Sequence, residues 1–315
     1  MILLWGLSGD APFDRVRATL ERGGAAVALI DQRDVLSTGL EMTCDPSLSA
    51  MVYVDGERTS LDDMTAVYWR TYDLRRLPSI LAEQADDEDG HPLVQARALE
   101  QALLAWLETV DALVVNRPSS MASNNSKPYQ STIMREHGFE VPETIITTDP
   151  QAVLRFWTDH AVVIYKSVSG ARSVVSRITR SHLERLEHVV WCPTQFQQFI
   201  PGRDVRVHVV GDDVFACEVL SDADDYRYAA GNGGSVEMRD VRLPDDVATR
   251  CVAVTQALGL RVSGIDLRHA PDGRWFGFEV NPSPGFTYYE DRTGQPIASA
   301  VTSLLMSARS PAPSG

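Results

Sequence analysis

The first part of the chain alternates between short apolar runs and segments whose apolar residues recur at helical spacing. The apolar runs predict buried strands at 2–6, 25–31, 65–70 and 112–116. Residues 14–22 predict one helix between them. A second helix is predicted by the apolar residues Leu99, Leu103, Leu107 and Val110. Because strands and helices alternate, we expect an open, mostly parallel sheet over about residues 1–115.

From residue 116 onward the pattern combines helices with a dense run of strands. Helices are predicted at about 128–137, directly after Asp149-Pro150, at 245–260 and over the final apolar stretch PIASAVTSLLM. Strands are predicted at 161–166 and in TQFQQFI, DVRVHVVG, DVFACEVL, RVSGIDLRH and WFGFEVN. The fold class expected is therefore α/β, with α+β character in the C-terminal part. The domains expected are 1–115, 116–190 and 191–307, followed by a disordered tail at 308–315.

Composition and charge exclude several classes of function. The chain has 43 Asp and Glu residues against 29 Lys and Arg, and its net charge of −14 argues against a general binder of nucleic acid or anionic membranes. No run approaches the roughly 18 apolar residues of a membrane span, and the N-terminal apolar run lacks the basic start of a signal peptide. Four scattered cysteines predict reduced thiols, so we expect a soluble, cytoplasmic protein.

Oxygen ligands are concentrated near the end of the chain. In WFGFEVN, Phe276, Phe278 and Val280 alternate with polar or small residues, which predicts a strand with one buried face. Glu279 and Asn281 then point to the same side, about 7 Å apart. Asp266 lies on the preceding predicted strand, across the tight turn APDG. If the two strands pair as a hairpin, the three side chains form a Mg²⁺ site; the alternative is an exposed polar face.

Cations elsewhere in the sequence are candidates for binding phosphates. Lys166 ends an apolar strand and is followed by the small residues SVSGARS, while Lys127 lies in a polar loop that opens a helix. Each is also typical of a surface lysine, and the Walker A pattern is absent. Arg206 shares one face of its strand with Asp204 and His208. It could stabilise charge on a transferred phosphoryl group or form a salt bridge to a neighbouring carboxylate.

Taken in order, these segments resemble the ATP-grasp superfamily, specifically ligases of the ribosomal-protein glutamate-ligase (RimK) type, over about residues 110–307. NRPSSMASNNSKPYQ and VVIYKSVSGARS resemble the two lysine segments of the family. FQQFIPGRDVRVHVVGDDVFACEV resembles its adenine hinge, and GIDLR with GFEVNPSPGFTYYEDRTGQPIA resembles its metal-binding end. The resemblance implies an ATP-grasp fold preceded by an α/β domain.

The resemblance also implies roles for individual residues. Lys127 and Lys166 would hold the α- and β-phosphates of ATP, and the 167–173 loop with Ser169 and Gly170 would close over the triphosphate. The hinge would consist of Gln197, Gln198, Phe199 and Ile200, with Asp204 near the ribose. Arg206 and Arg227 would face an acyl phosphate, with His208 conceivable as a base but more often structural. Asp266, Glu279 and Asn281 would bind two Mg²⁺ ions, for which Mn²⁺ would substitute.

The implied activity is ATP-dependent ligation of a carboxylate to an amine or hydroxyl through an acyl phosphate, with release of ADP and phosphate. PTQFQQFI, DVRVHVVGDDVFA, DDYR and LPDDV resemble graspetide (microviridin-type) ligases, which act on precursor peptides. NPSPGF is nearer the glutamate-ligase type. A peptide substrate is therefore expected, a small-molecule amino acid or dipeptide ligase is the alternative, and a non-catalytic ATP-binding sensor is the rival from another class. Relatives are often oligomers, which leads to a homodimer as a further expectation.

Overall fold

The computed structural model describes residues 1–45, 48–54, 56–84, 90–167, 175–221 and 236–308, so the predicted tail lies outside the described residues from 309 onward. In chain order the strands are β1 (Ile2–Gly6), β2 (Val27–Asp31), β3 (Gly39–Thr43), β4 (Ser49–Val54), β5 (Glu57–Ser60), β6 (Ala66–Arg70), β7 (Leu113–Val115), β8 (Thr144–Thr147), β9 (Val163–Ser167), β10 (Ser176–Arg177), β11 (Thr194–Gln198), β12 (Arg203–Val210), β13 (Asp213–Ser221), β14 (Val236–Val241), β15 (Val262–His269) and β16 (Trp275–Asn281). The α-helices are α1 (Ala11–Arg22), α2 (Pro78–Gln84), α3 (His91–Thr109), α4 (Pro118–Met121), α5 (Lys127–Glu136), α6 (Pro150–Asp159), α7 (Arg180–Leu183), α8 (Asp245–Ala257), α9 (Thr287–Thr293) and α10 (Ile297–Met306).

The N-terminal part contains the predicted parallel sheet, in the order β2-β1-β6-β7. The four strands expected from the apolar runs are confirmed. β1 is apolar throughout because both of its faces are covered: Leu4 packs with α1 and α10, and Leu3 packs with α3. Helix α1 begins three residues earlier than predicted. Asp10 caps it by accepting a hydrogen bond from the Phe13 N–H, 3.2 Å away.

A second, antiparallel sheet in this region was not expected from the sequence. Its order is β3-β4-β5, and it packs Ala50 and Val52 against Leu3 and Trp5 of the parallel sheet. These strands alternate weakly, and β5, ERTS, has no apolar residue at all. Periodicity therefore gave little signal, and tertiary packing decides the conformation of this segment.

The remainder of the chain contains two further sheets, and a cleft lies between them. The central sheet has the order β10-β9-β11-β8 and is antiparallel. The C-terminal sheet has the order β14-β13-β12-β15-β16, and α8 covers one of its faces through Val247, Cys251 and Val254. The cleft lies between the two sheets and receives side chains from β9 and β11 on one side and from β12, β15 and β16 on the other. Among the described residues, no helix combines the length and apolarity needed to cross a bilayer.

Candidate active site

The predicted hairpin of β15 and β16 is present and brings the expected oxygen ligands together. Asp266 is directly opposite Glu279, and Gly264 is opposite Asn281. About a quarter of each carboxylate side chain is exposed, 26% for Asp266 and 25% for Glu279. The Asn281 side-chain oxygen accepts a hydrogen bond from the Ser283 N–H at 2.9 Å, which turns the chain sharply after the strand.

A β-bulge changes the faces of β16 from those predicted. Asp266 pairs with Glu279 while Leu267 pairs with Gly277, so Phe278 is the extra residue. As a result Phe278 and Glu279, which are adjacent in sequence, both line the cleft. The predicted strict alternation is therefore wrong at Phe278, whereas Phe276 is buried with Ile200 and Ala270 as expected of an apolar strand residue.

Three predicted cations surround these carboxylates. The Arg206 guanidinium, only 7% exposed, donates from Nη1 to Asp266 Oδ1 at 2.7 Å. Lys127 Nζ lies 3.7 Å from Glu279 Oε1. Lys166, 8% exposed, is the last residue but one of β9, lies opposite Gln195 and lines the same cleft. Charges of both signs therefore meet in one partly buried place, as binding of a metal ion together with phosphate groups requires.

The cleft also has an apolar lining. It consists of Ile164, Val175, Phe199, Val205, Leu267 and Phe278. The predicted hinge, Gln197 to Ile200, follows this lining at the end of β11. Its N–H groups at Gln198 and Phe199 donate to the carbonyls of Glu143 and Val162, so these two donors are used within the fold.

Arg268 is a residue of the cleft that the sequence interpretation missed. It donates to Asp204 Oδ1 (2.7 Å from Nη2) and to the Ile200 carbonyl (2.8 Å). Its guanidinium also lies 5.6 Å from the ring centre of Phe199 and 5.2 Å from that of Phe278. The signal was available, because Arg268 is two positions after Asp266 on a strand and must share its face.

His208 lies behind Arg206 and is almost completely buried, with 1% exposure. Burial, together with the positive charge of Arg206, lowers the pKa of His208 well below its ordinary value of 6.5. Its ring packs edge-on against Tyr289, with 5.0 Å between ring centres. The imidazole is therefore neutral near pH 7 and packs as part of the wall behind Arg206.

The donor groups of the cleft fit Mg²⁺ and a nucleotide. Two carboxylates and one amide oxygen match the small protein contribution that Mg²⁺ takes when phosphates and water complete its octahedron. The described residues contain no cluster of three or more His, Cys, Asp or Glu side chains that would hold a metal without such help. On β11, the buried amide oxygens of Gln195 and Gln197 have no hydrogen-bond partner within the described part of the chain, and Gln197 lines the cleft.

The orientation of the Gln197 amide follows from its neighbours. The Thr144 hydroxyl donates to the Pro142 carbonyl at 2.9 Å, so its oxygen accepts from Gln197 Nε2, also at 2.9 Å. The Gln197 Oε1 atom is then the acceptor that a base with an exocyclic amine would satisfy. The remaining predicted site residues, Ser169, Gly170 and Arg227, lie outside the described residues, as does most of the 167–173 loop.

Comparison with known proteins agrees with this geometry. The model of the RimK-like ATP-grasp domain matches residues 122–305, more than half of the chain. A probable alpha-L-glutamate ligase from Rhodopirellula baltica is 27% identical over 216 residues, which are 65% of this chain and 52% of that protein. The chain thus spans about half the length of this curated relative.

Two solved structures are similar over nearly the whole chain. One is a RiPP-associated ATP-grasp ligase from Chryseobacterium gregarium in complex with ADP and a leader and core peptide. It has a TM-score of 0.83 and 24% identity, over 97% of this chain and 96% of that one, and at this identity it establishes the fold alone. The other is the ATP-grasp ligase PsnB complexed with minimal precursor, Mg and ADP, with a TM-score of 0.81 and 27% identity, over 98% and 96% of the two chains. The resemblance expected from the sequence is confirmed, and the protein belongs to the RimK-like ATP-grasp domain family.

Proposed function

We propose that this protein is an ATP-dependent, ADP-forming ligase that joins a carboxylate to an amine or hydroxyl group, with a peptide as its substrate. The observation that carries the proposal is the convergence of three cations and two carboxylates on one cleft that also has an apolar lining. These residues are Lys127, Lys166, Arg206, Asp266 and Glu279. Positioning and charge neutralisation are the main tasks of a protein that transfers a phosphoryl group.

A peptide substrate is favoured by the comparisons. PsnB, whose structure is complexed with minimal precursor, Mg and ADP, is 27% identical and is matched over 98% of this chain. The Chryseobacterium gregarium enzyme, which shares the fold, was solved with a leader and a core peptide. These similarities cover the N-terminal sheet as well as the ATP-grasp part, and the identity to PsnB over the whole chain supports peptide modification.

The site residues divide into groups with distinct roles in this proposal. Lys127 and Lys166 hold the phosphates, and the hinge from Gln197 to Ile200 holds the base, with Asp204 near the ribose. Asp266, Glu279 and Asn281 would hold the two expected Mg²⁺ ions, which would supply positive charge against the phosphate oxygens, and Mn²⁺ is expected to substitute. The 167–173 loop with Ser169 and Gly170, and Arg227, complete the site as expected from the resemblance. A homodimer is a further expectation of the same kind.

The proposed reaction proceeds in two steps. A carboxylate oxygen of the substrate attacks the terminal phosphorus of ATP, the bond to the bridging oxygen breaks, and ADP leaves. The amine or hydroxyl of the acceptor then attacks the acyl carbon, the bond from that carbon to the phosphate oxygen breaks, and phosphate leaves as the acceptor loses a proton. Phosphorylation is needed because oxide is not a leaving group. Arg206, held by Asp266, would stabilise charge on the transferred group.

A second candidate is a ligase of free amino acids. The observation in its favour is the similarity of this chain to a probable alpha-L-glutamate ligase, 27% over 216 residues. The same nucleotide and metal residues would serve both reactions, because the chemistry of the carboxylate is the same. The two candidates differ in the group that is joined, so only the choice of substrate separates them.

The test is a substrate screen that follows ADP and phosphate. The purified protein is incubated with ATP, Mg²⁺ and separate pools of free amino acids and of peptides carrying Asp, Glu, Lys, Ser and Thr, and peptide masses are recorded. We expect ADP formation with the peptide pool and a peptide that has lost one water. A double variant, Asp266→Asn with Glu279→Gln, should be inactive. Asp272→Asn, which changes an exposed carboxylate paired with Arg274 in the turn of the same hairpin, should be active.

The outcomes separate the candidates. ADP formation only with the amino acid pool would support the amino acid ligase. AMP and pyrophosphate as products would contradict the acyl-phosphate chemistry. Nucleotide binding without any product in either pool would favour a non-catalytic ATP-binding module.

A further inference from the structure

Gln130 makes an unusual pair of contacts beside the proposed metal ligands. It lies one turn after Lys127 on α5, and its side chain is 1% exposed. Its Nε2 donates to the Val280 carbonyl at 2.7 Å, and its Oε1 accepts from the Val280 N–H at 3.0 Å. Val280 stands between Glu279 and Asn281 in the sequence, so the amide holds the backbone at the centre of the ligand set.

The position of β16 in its sheet explains why this contact matters. β16 is the last strand of its sheet. β15 pairs with it on one side, and on the other side Glu140 bonds its backbone at the Trp275 carbonyl and the Gly277 N–H. Val280 is opposite Ile265 on β15, but its own N–H and carbonyl are directed outward, to Gln130. An edge strand that bears a bulge twists easily unless its outer groups are held. Glu140 holds this outer edge before the bulge, and Gln130 holds it after the bulge, at Val280. The contact at Val280 fixes the directions of the two neighbouring side chains.

The rest of α5 supports the same contact. Lys127, Gln130 and Met134 follow one face of the helix. Lys127 Nζ is 3.7 Å from Glu279 Oε1, and Met134 packs so closely on Gly277 that a Cβ there would lie 2.6 Å from its sulfur atom. Helix α5 is thus attached lengthwise to β16 at three places. Lys127, expected to hold phosphate, and Glu279, expected to hold the metal, therefore lie on two elements that are packed directly against each other.

We propose that Gln130 is a positioning residue for the divalent-ion site. It acts through the Val280 backbone and aligns Glu279 and Asn281 so that both point at the same ion. The inference rests on the proposed function, because it takes these two side chains to be metal ligands. Groups that orient metal ligands without touching the metal commonly change affinity by about 10- to 100-fold when they are removed.

The experiment measures ion binding rather than turnover. Mn²⁺ is titrated into the full-length protein in the presence of ADP, and free Mn²⁺ is followed by its electron paramagnetic resonance signal. Gln130→Met keeps the length of the side chain but removes both hydrogen bonds, and we expect Mn²⁺ affinity to fall by about tenfold. Gln130→Asn, whose shorter amide cannot make both bonds, should show a smaller loss and serves if the Met variant does not fold.

The chain supplies a matched control in Gln32. This residue is 2% exposed and makes the same pair of bonds to one backbone residue, with Nε2 to the Tyr72 carbonyl at 2.8 Å and Oε1 to the Tyr72 N–H at 2.7 Å. It lies at the N-terminal sheet, among Ile30, Val35 and Leu74 rather than in the cleft. Gln32→Met should lower the thermal unfolding temperature about as much as Gln130→Met but should leave Mn²⁺ affinity unchanged.

A Glu279→Gln variant separates failure of this inference from failure of the proposed function. If Glu279→Gln weakens Mn²⁺ binding and Gln130→Met does not, Gln130 is not a positioning residue although the metal site stands. Equal weakening by Gln32→Met and Gln130→Met would also overturn the inference, because the effect would then be general instability. If Glu279→Gln leaves Mn²⁺ binding unchanged, the metal assignment in the proposed function fails, and the inference fails with it.

Discussion

At the scale of single residues, the site requires a small residue beside Arg206 as well as the charged side chains themselves. Arg206 reaches Asp266 by passing over Gly264, which lies two positions earlier on β15. A Cβ at Gly264 would collide with the guanidinium of Arg206 and would lie 2.7 Å from Pro284 Cβ. A glycine is therefore required here by the close approach of a side chain rather than by its backbone angles.

We predict that Gly264→Ala displaces Arg206 and lowers kcat/KM for ADP formation by about tenfold or more, because a charge-assisted hydrogen bond at the reacting group is lost. Gly285→Ala is the control, since a Cβ at Gly285 would have no atom within 4 Å. The measurement is steady-state ADP release by both variants. Equal activity of Gly264→Ala and the unchanged protein would contradict the placement of Arg206.

His208 gives the protein a pH-dependent stability whose sign follows from its lowered pKa. Below its ordinary pKa of 6.5 the unfolded chain binds a proton that the folded chain does not. The free energy of unfolding therefore falls as pH decreases below about 6.5, by up to about 1.4 kcal/mol for each pH unit, until the lowered folded-state pKa is reached. Above about pH 7 the contribution of this group is constant.

We predict that His208→Phe, which keeps the ring against Tyr289, removes this component. Urea unfolding at about pH 7 and about pH 5.5 should show a smaller loss of stability on acidification in the variant, by about 1 kcal/mol. A loss as large in the variant as in the unchanged protein would show that His208 is not the buried neutral group described above.

At the scale of secondary-structure elements, the sequence predicts strands and helices best where buried residues recur at a regular spacing. The parallel strand β1 is apolar, β6 is buried up to its last residue, Arg70, and both were expected from their apolar runs. The pairing of Asp266 with Glu279 followed from two alternating strands and a short turn. The bulge at Phe278 could not be predicted, because one extra residue leaves no local signal and is set by the pairing partner.

The bulge makes two neighbouring phenylalanines behave differently. Phe276 is 4% exposed in a small cluster with Ile200 and Ala270, while Phe278 is only partly buried against that cluster and lines the cleft. We predict that Phe276→Ala lowers the free energy of unfolding by about 3–5 kcal/mol, because it leaves a cavity. Phe278→Ala should cost less stability but should weaken ADP binding several-fold, measured by calorimetry. Similar effects of both variants on stability and on ADP binding would support strict alternation instead.

The contacts of α5 with β16 show a second limit of sequence reasoning. Lys127 was identified from the resemblance of its segment to the first lysine segment of the family, but Gln130 and Met134 carried no visible signal of their role. Their roles arise because α5 packs on β16, a strand that follows it by about 150 residues in the sequence. Such contacts between distant elements are specified by the fold as a whole, not by local pattern.

At the scale of the whole molecule, the N-terminal sheet and the C-terminal sheet share one core. A single apolar cluster combines Leu4 and Tyr68 of the first sheet with Val262, Phe286 and Val301 from the far end of the chain. The predicted α/β part is therefore packed directly on the ATP-grasp part. This arrangement places the end of the parallel sheet beside the turn that follows Asn281, where Arg70 donates to the Ser283 hydroxyl and the Pro284 carbonyl.

Asn116, which directly follows β7, connects the N-terminal sheet to the C-terminal part through four hydrogen bonds of its side-chain amide. Its Nδ2 donates to the carbonyls of Val262 (2.7 Å) and Pro282 (2.6 Å), and its Oδ1 accepts from the N–H groups of Arg261 and Val262. It is 3% exposed. Removing this amide leaves several buried backbone groups unpaired, and each such group costs about 1–3 kcal/mol.

We therefore predict that Asn116→Ala lowers the free energy of unfolding by about 3 kcal/mol or more. The exposed Asn125, changed to Ala in the same way, should have an effect within about 0.5 kcal/mol. Urea unfolding followed by tryptophan fluorescence measures both. An Asn116→Ala variant as stable as the unchanged protein would mean that the two parts are held together by the apolar cluster alone.

The central claim is that this cleft activates a carboxylate by phosphorylation, and transfer of an oxygen isotope tests it most directly. The substrate that supports ADP formation is prepared with ¹⁸O in its reacting carboxylate, and the released phosphate is analysed by mass spectrometry. The account predicts that phosphate carries one ¹⁸O atom from the carboxylate, and that the Asp266→Asn, Glu279→Gln double variant releases none. Unlabelled phosphate, or label found in AMP, would contradict an acyl phosphate formed in this site.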